Sequence, residues 1–437
     1  MAGNVELVVG LIAPIGTNLE RVSREISDFL EGAGYGVRLV RISDWFDIST
    51  DERRSLGGLK LFERLMNEGD ELRRATQRKD VLAAVAVGQI MKARLNAEGR
   101  MAVIVRQFKT PEEIVSMQRI YGNRFLAVSC FSRRRCRVDE LSRQLADQVS
   151  SIQSHQFRGD AESLIKRDEF DSLDEWGQNV RKAFPLSDIF VDVDSHQSFP
   201  NSLQRAMEIV FSHPFHTPTR DEFGMNQAEA AALRSSALGR QVGAVITTLG
   251  GDIISVGTNE VPRANGGLYW EGDSPDNRDF TLGRDSNDRF KEKLLGEILQ
   301  KLQTATWLRD DLNRAELATL IDKLIYDNDS VLTGAHVENI IEFGRCVHAE
   351  MAAIVDAARR GVSVDGSVLY TTTFPCHECA RHIVAAGIRR VVYRVPYPKS
   401  LVRELYPDSI DVDGDLDENT HVTFQPFVGI APRRFRQ

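Results

Sequence analysis

Short apolar runs alternate with longer amphipathic stretches through the first half of the chain. Runs at 5–12, 36–42, 101–108, 124–131 and 188–193 predict strands, and 19–30, 59–95, 111–121 and 138–152 predict helices between them. Strand–helix alternation needs crossover connections, so this half predicts an α/β domain: a doubly wound, mostly parallel sheet covered by helices on both faces. The segment His213-Pro214-Phe215-His216-Thr217-Pro218 breaks the pattern and predicts a linker.

A second pattern follows. A helix over 225–238 carries Ala228, Ala231, Ala232 and Ala237, and strands at 242–247 and 252–256 flank the turn Leu249-Gly250-Gly251. From about 263 to 345 the pattern changes. A polar, Gly-rich loop over 265–289 precedes two amphipathic helices, one striped by Leu294, Ile298 and Leu302, the other by Leu317, Ile321 and Leu324. Helix 348–360, strand 367–372, helix 376–386 and strand 390–395 close the sequence of elements. The boundaries predict a domain over 1–215 and another over 219–437, with a helical insertion at about 263–345.

Composition narrows the function classes. The 63 acidic against 55 basic residues leave a formal charge of −8, which argues against a protein that coats nucleic acid. No apolar stretch is long enough for a membrane span, and the first ten residues show no basic, signal-like start. A cytoplasmic location is expected. In a reducing compartment, spaced cysteines point to metal or catalysis more than to disulfides.

Two of the five cysteines lie in Pro375-Cys376-His377-Glu378-Cys379, downstream of His348-Ala349-Glu350. One imidazole and two thiolates suit Zn²⁺, and three protein ligands leave the fourth tetrahedral position open, as in catalytic sites. Cys376 and Cys379 at a helix start place both sulfurs toward one ion, and the helix N-terminus favours thiolate. Glu350, two residues after His348, sits beside such an ion without ligating it and is the candidate proton carrier. A redox Cys-x-x-Cys and a four-ligand structural zinc are the alternatives. The second would recruit His377, whose place between the cysteines makes that awkward. Cys130, Cys136 and Cys346 have no ligand partners at useful spacing and read as packed thiols.

The region from about 225 to 400 resembles the deoxycytidylate deaminases of the cytidine deaminase superfamily. The resemblance is carried by Arg240-Gln241-Val242-Gly243-Ala244-Val245-Ile246, by Gly257-Thr258-Asn259-Glu260-Val261-Pro262, by His348-Ala349-Glu350, and by Pro375-Cys376-x-x-Cys379 with the Ala-Gly-Ile-Arg-Arg-Val-Val-Tyr that follows. The full layout is similar to bacterial anti-phage dCTP deaminases, which join a P-loop kinase-like domain to a deaminase domain. The run from Tyr397 to Leu401 and the closing run from Phe427 to Arg434 also match that group. The resemblance implies hydrolytic deamination of dCTP, dCMP or both, with zinc held by His348, Cys376 and Cys379 and protons moved by Glu350. It implies that Asn259, Arg240 and Gln241 contact the sugar and phosphate side of a deoxycytidine nucleotide, with Lys399 and Ser400 on the outer phosphates. It also implies depletion of dCTP in phage defence, a nucleotide effector, a homo-oligomer and, in some relatives, a regulatory small RNA. The insertion lacks the cysteine-rich set that holds a second zinc in some dCMP deaminases.

In the first domain, Gly10-Leu11-Ile12-Ala13-Pro14-Ile15-Gly16-Thr17-Asn18 follows the first strand. Thr17 stands where a phosphate loop has its lysine, and Asn18 where it has its Mg²⁺-binding hydroxyl. The strand ending at Val105 leads into Arg106-Gln107 rather than an acid. Kinase chemistry is therefore not expected. A regulatory or scaffolding role is, with Gly16, Thr17 and Arg106 as candidate nucleotide-binding positions at the strand ends. Arg133, Arg134, Arg135 and Arg137 form a local basic cluster, read as a solvated helix start or a contact for phosphate or RNA.

Two rival functions differ in class. A deaminase acting within RNA or single-stranded DNA would need a basic, aromatic-lined channel, and the acidic balance opposes it. A non-enzymatic nucleotide sensor would have no need of Glu350. A housekeeping dCMP deaminase supplying thymidylate synthesis shares the expected chemistry.

Overall fold

The computed structural model describes residues 6–46, 48–95, 99–149, 151–170, 175–195, 198–327, 330–332, 335, 337, 340–396, 400–412, 414 and 420–435. The chain divides into two compact units, Met1–Phe223 with Pro426–Gln437, and Gly224–Gln425.

The first unit is built on strands β1 (Glu6–Ile12), β2 (Gly36–Arg41), β3 (Met101–Phe108), β4 (Phe125–Phe131) and β5 (Ile189–Asp192). They lie in the order β5-β4-β1-β3-β2, every neighbouring pair parallel. β1 is buried along its whole length, as a central strand covered on both faces must be. Its apolar run is therefore continuous rather than alternating. The helix Leu19–Gly32 buries Leu19, Val22, Ile26 and Leu30 against this sheet, one stripe of a 3.6-residue period.

The amphipathic stretch read as one helix over 59–95 is two, Gly58–Thr76 and Val81–Leu95. Gln77 takes a left-handed conformation (φ 54°), and its N–H caps the carbonyls of Arg73 and Arg74. Arg78 then binds the Asp80 carboxylate through two nitrogens at 3.0 Å, which secures the break. The run 73–80 is polar except for Ala75, so the apolar pattern lapses at this point, a break that the reading of one stretch over 59–95 passed over.

The sequence reading places every residue after 219 in the second domain, whereas the last residues return to the first unit. β12 (Gly429–Ile430) adds to the edge of β5 in antiparallel fashion. Buried Asp188 holds this end: it receives Arg433 at 2.8 Å and Arg434 at 3.0 Å, and its carbonyl accepts the Ala431 N–H at 2.8 Å.

The second unit has the strand order β10-β11-β9-β8-β6-β7, with β6 (Gly243–Thr247), β7 (Ile253–Thr258), β8 (Val368–Thr373), β9 (Arg390–Val395), β10 (Ile410–Asp411) and β11 (Val422–Pro426). The expected β6–β7 hairpin forms, β6 pairs antiparallel with β8, and β8 runs parallel to β9. Two helices, Ala349–Arg359 and His377–Ala385, pack Ala349, Ala353, Ala357, Ala380 and Ile383 into one core with Ala244, Ile246, Leu369 and Val391 of the sheet. The small residues let the helix Ala349–Arg359 lie close to the sheet. The insertion contains the two expected helices, Ser286–Thr304 and Leu317–Ile325. They approach closely where Gly296 faces Ile321: a Cβ on Gly296 would lie 3.1 Å from the Ile321 side chain.

Candidate metal centre

Three local features bring the site together. His348 is the extended residue that caps the helix Ala349–Arg359. The chain just before it is pinned by Val347 and Glu260, whose backbones exchange hydrogen bonds at 3.0 and 3.2 Å. Cys376 caps the helix His377–Ala385, and its sulfur accepts the Cys379 N–H at 3.5 Å. Two helix N-termini thus present their first turns to one point, each adding the positive end of its dipole.

The His348 Nδ1 lies 3.2 Å from the Cys376 Sγ and 3.4 Å from the Cys379 Sγ. All three donor atoms fall within 4.8 Å of one another. Tetrahedral zinc with ordinary Zn–N and Zn–S bonds spaces such donors about 3.5–3.8 Å apart, so the set fits that ion with little movement. Two sulfurs and one imidazole select zinc over hard cations such as Mg²⁺. Among the described residues the three donors converge without a fourth: His377 faces Glu342 instead, with Nε2 3.8 Å from its carboxylate.

The electrostatics favour deprotonation at one of the three donors, Cys376. The Cys379 thiol hydrogen bond, helped by His348, holds Cys376 down to about 4. The same bond raises Cys379, and the Cys376 interaction lifts His348 to about 9.

Glu350 lies in the first turn of the helix that His348 caps and is only 4% exposed. Its Oε2 accepts from the Cys379 thiol at 3.5 Å, and its Oε1 from the Thr371 hydroxyl at 3.4 Å. Burial pushes its carboxyl above the usual glutamate range. The arrangement is a carboxylate with raised proton affinity beside three metal donors; the neighbouring Thr371 hydroxyl has its shorter bond, 3.0 Å, to the Thr373 carbonyl. Such a carboxylate can accept and return a proton at a carbon held next to the ion.

The other sequence candidates fall into three groups. Asn259, 9% exposed, uses its side chain on its own scaffold. Its Oδ1 accepts from the Val242 N–H at 2.7 Å and the Ser235 hydroxyl at 2.8 Å, and its Nδ2 donates to the Arg240 carbonyl at 2.7 Å. Asn259 thereby shapes the 235–242 loop, on which Arg240 and Gln241 are exposed. Gln241 donates to the Ala237 carbonyl at 2.7 Å. Ser400 donates to the Pro375 carbonyl at 2.8 Å, against the turn that delivers Cys376. Lys399 lies outside the described residues.

In the first unit, Gly16 takes φ +83° and Thr17 donates its hydroxyl to the Pro14 carbonyl at 2.9 Å. Asn18 caps the helix Leu19–Gly32 by accepting the Arg21 N–H at 3.1 Å. Arg106 ends up beside Arg41, its register partner on β2. Of the basic cluster, Arg133 meets Asp192 and Asp194, each at 3.7 Å.

Sequence reasoning missed Thr371 and Glu260. Glu260 is buried and accepts from the Ser236 N–H at 3.0 Å, the Ser236 hydroxyl at 2.6 Å and the Val261 N–H at 2.9 Å. An acid inside the otherwise apolar run Glu260-Val261-Pro262 was the signal available for it. Thr371 had none, because its role depends on which face of β8 meets Glu350. Cys346, read as a packed thiol, donates to Asp279 at 3.8 Å and is pushed up to about 12, chiefly by burial.

Comparison with known proteins places this geometry. Residues 218–395 match the family model described as the cytidine and deoxycytidylate deaminase zinc-binding region. The deoxycytidylate deaminase of Enterobacteria phage T2 is 44% identical over 54 residues, 12% of this chain and 29% of that protein. ComE operon protein 2 of Bacillus subtilis is 43% identical over 53 residues, 12% of this chain and 28% of that protein. The chain thus spans less than a third of the length of these relatives. The dCMP deaminase of cyanophage S-TIM5 is 18% identical to this chain with a TM-score of 0.25, covering 48% of this chain and all of that one. Within the stretch that matches this zinc-binding model, 218–395, His348, Cys376 and Cys379 supply a donor set suited to zinc.

Proposed function

We propose that the second unit is a zinc-dependent hydrolase that converts a deoxycytidine nucleotide, dCTP or dCMP, to the corresponding uracil nucleotide and ammonia. The observation that carries this reading is the buried Glu350 carboxylate beside the three convergent donors. Held by His348, Cys376 and Cys379, zinc would supply a Lewis acid that makes water a nucleophile at neutral pH.

The chain's own residues do the rest. Glu350 takes a proton from the water that adds at C4 of the pyrimidine and hands it to the ring nitrogen. It then takes the remaining proton from the hydroxyl added at C4 and delivers it to the departing amino group, so that C4–N breaks as C4=O forms and ammonia leaves. Burial favours this traffic, because the raised proton affinity of Glu350 lets it hold the proton between steps. The Thr371 hydroxyl borders Oε1 while Oε2 faces the Cys379 sulfur.

The 235–242 loop, shaped by Asn259, presents Arg240 and Gln241 to the sugar and phosphates, with Ser400 and Lys399 on the outer phosphates of a triphosphate. This assignment, the depletion of dCTP in phage defence, and the effector, oligomer and small RNA rest on resemblance of layout and motif. The first unit serves as a regulatory or scaffolding unit, since Thr17 replaces the lysine that phosphoryl transfer requires.

The deciding experiment is ammonia release from dCMP, dCTP, CTP, cytidine and single-stranded oligonucleotides side by side, with zinc measured on the same sample. Turnover of the deoxycytidine nucleotides with one zinc per chain is expected. Release from oligonucleotides alone would overturn the reading.

A further inference from the structure

One backbone donor of the loop after β1 is already taken by an internal acid. The Ile15 N–H donates to the Asp168 carboxylate at 2.9 Å, and that carboxylate is neutralised by the Lys109 ammonium at 3.1 Å. Asp168 and Lys109 are both buried. The space above Gly16 is also taken, since a Cβ there would sit 2.6 Å from the Arg137 carbonyl oxygen. An internal acid thus stands where a phosphate would need a free donor.

A different group nearby lacks its anion. Arg106 lies near the carboxyl end of β3, next to Arg41 of β2. Its Nη1 is buried and finds no acceptor among the described residues. Burial, with Arg41 adding to it, pulls the Arg106 pKa down, so the cation is held at a cost. An unpaired buried guanidinium nitrogen forfeits its hydration, and an anion would restore that loss.

Arg106 borders a cleft of about 480 Å³ shared with the first turns of the helix Leu19–Gly32 and with the helix Arg134–Gln148. Arg21, Arg24 and Arg143 also line it. The acid Glu140 in the same wall is already engaged, by Arg143 at 2.6 Å and Gln144 at 2.8 Å. Glu20 and Glu25 at the rim oppose an anion; with Arg143 set against Glu140, the arginines Arg21, Arg24 and Arg106 face them, an excess of one positive charge, and Arg21 gives one of its nitrogens to the Val193 carbonyl at 2.9 Å. The volume suits a small molecule. The cleft also lies at the carboxyl ends of parallel strands, where open α/β sheets take their ligands. Guanidinium groups grip phosphate oxygens through paired N–H donors.

We propose that the first unit binds a phosphate-bearing small molecule in the Arg106 cleft, and not in the loop around Gly16, whose donor is taken by Asp168. This site is independent of the zinc centre, so its failure leaves the deaminase reading intact, and the reverse.

The test uses the full chain and inorganic tripolyphosphate, with calorimetry for affinity and hydrogen exchange for location. Saturable binding with a Kd below about 1 mM is expected, with slowed exchange over 18–25 and 140–144. R106Q should weaken it by about tenfold or more, as expected for losing a charge-assisted bond. R106K should weaken it less, which separates loss of the guanidinium fork from misfolding, and melting curves check both variants. D168N should leave the affinity within about twofold. No saturable binding, wild-type affinity in R106Q, protection confined to the second unit, or loss of binding in D168N would each overturn the proposal.

Discussion

Replacing Gly257 by alanine should damage chemistry more than stability. Gly257 lies on β7, directly beneath the helix that His348 caps and that carries Glu350. A Cβ there would lie 2.1 Å from the Ala349 carbonyl oxygen and 2.5 Å from the Ala353 nitrogen. Cβ atoms essentially never come within 3.0 Å of such neighbours, and both obstacles are backbone, which no rotamer change can move aside. The helix must therefore shift by about 1 Å, a strain that costs about 1–3 kcal/mol in a packed core. A displacement of about 1 Å in a catalytic group lowers turnover by about a hundredfold. Gly243 is the control. A Cβ on it would lie 2.0 Å from the Ala228 carbonyl oxygen and 2.4 Å from the Ala232 nitrogen, on the helix Arg220–Ala232, which carries no metal donor. G243A should lose similar stability with a much smaller loss of kcat per folded molecule. The assay is ammonia release from saturating dCMP and dCTP, normalised to the folded fraction from melting curves, with zinc content measured in parallel. Folded G257A with wild-type kcat/KM, or equal losses of kcat in both variants, would refute the reasoning.

Three further outcomes are expected. E350Q should retain zinc and lose about 10²–10⁴-fold in kcat, the usual share of a general acid–base group; stoichiometric zinc with wild-type turnover would place the proton transfer elsewhere. C379S or treatment with a strong chelator should remove zinc, abolish turnover and lower the melting temperature, because metal binding is coupled to folding of the site; an unchanged zinc content in C379S would show that Cys379 is not a ligand. N259A removes three hydrogen bonds that shape the 235–242 loop and should cost about 1–3 kcal/mol while raising KM more than it lowers kcat; thermal melts and steady-state kinetics check both, and a pure kcat loss would assign Asn259 a role in the chemistry itself.

The alternation of apolar runs and amphipathic stretches was enough to predict the parallel sheet of the first unit and the hairpin and two terminal βα pairs of the second. The helices bury the stripe that their period dictates, and the central strands, buried on both faces, read as continuous apolar runs. The metal donors were legible for a different reason. Few uses account for a histidine two residues before an acid together with a proline-led Cys-x-x-Cys, and local helix starts aim the cysteines without help from distant contacts. The break at Gln77 was marked in the sequence by the polar run 73–80, where only Ala75 is apolar, and the reading of a single stretch passed over it.

What the sequence determined alone was therefore local: which segments fold as helix or strand, and which residue types can hold zinc and move a proton. Tertiary structure decided the pairings across long sequence separations. It set the Thr371 hydroxyl against Glu350, returned Gly429–Ile430 to the edge of β5, turned the Asn259 amide onto the 235–242 loop, and put the Asp168 carboxylate on the Ile15 N–H. Each contact joins residues that share no local period or motif. It exists because packing brings buried polar atoms together, and an unpaired buried polar atom costs more than the entropy of holding it in place.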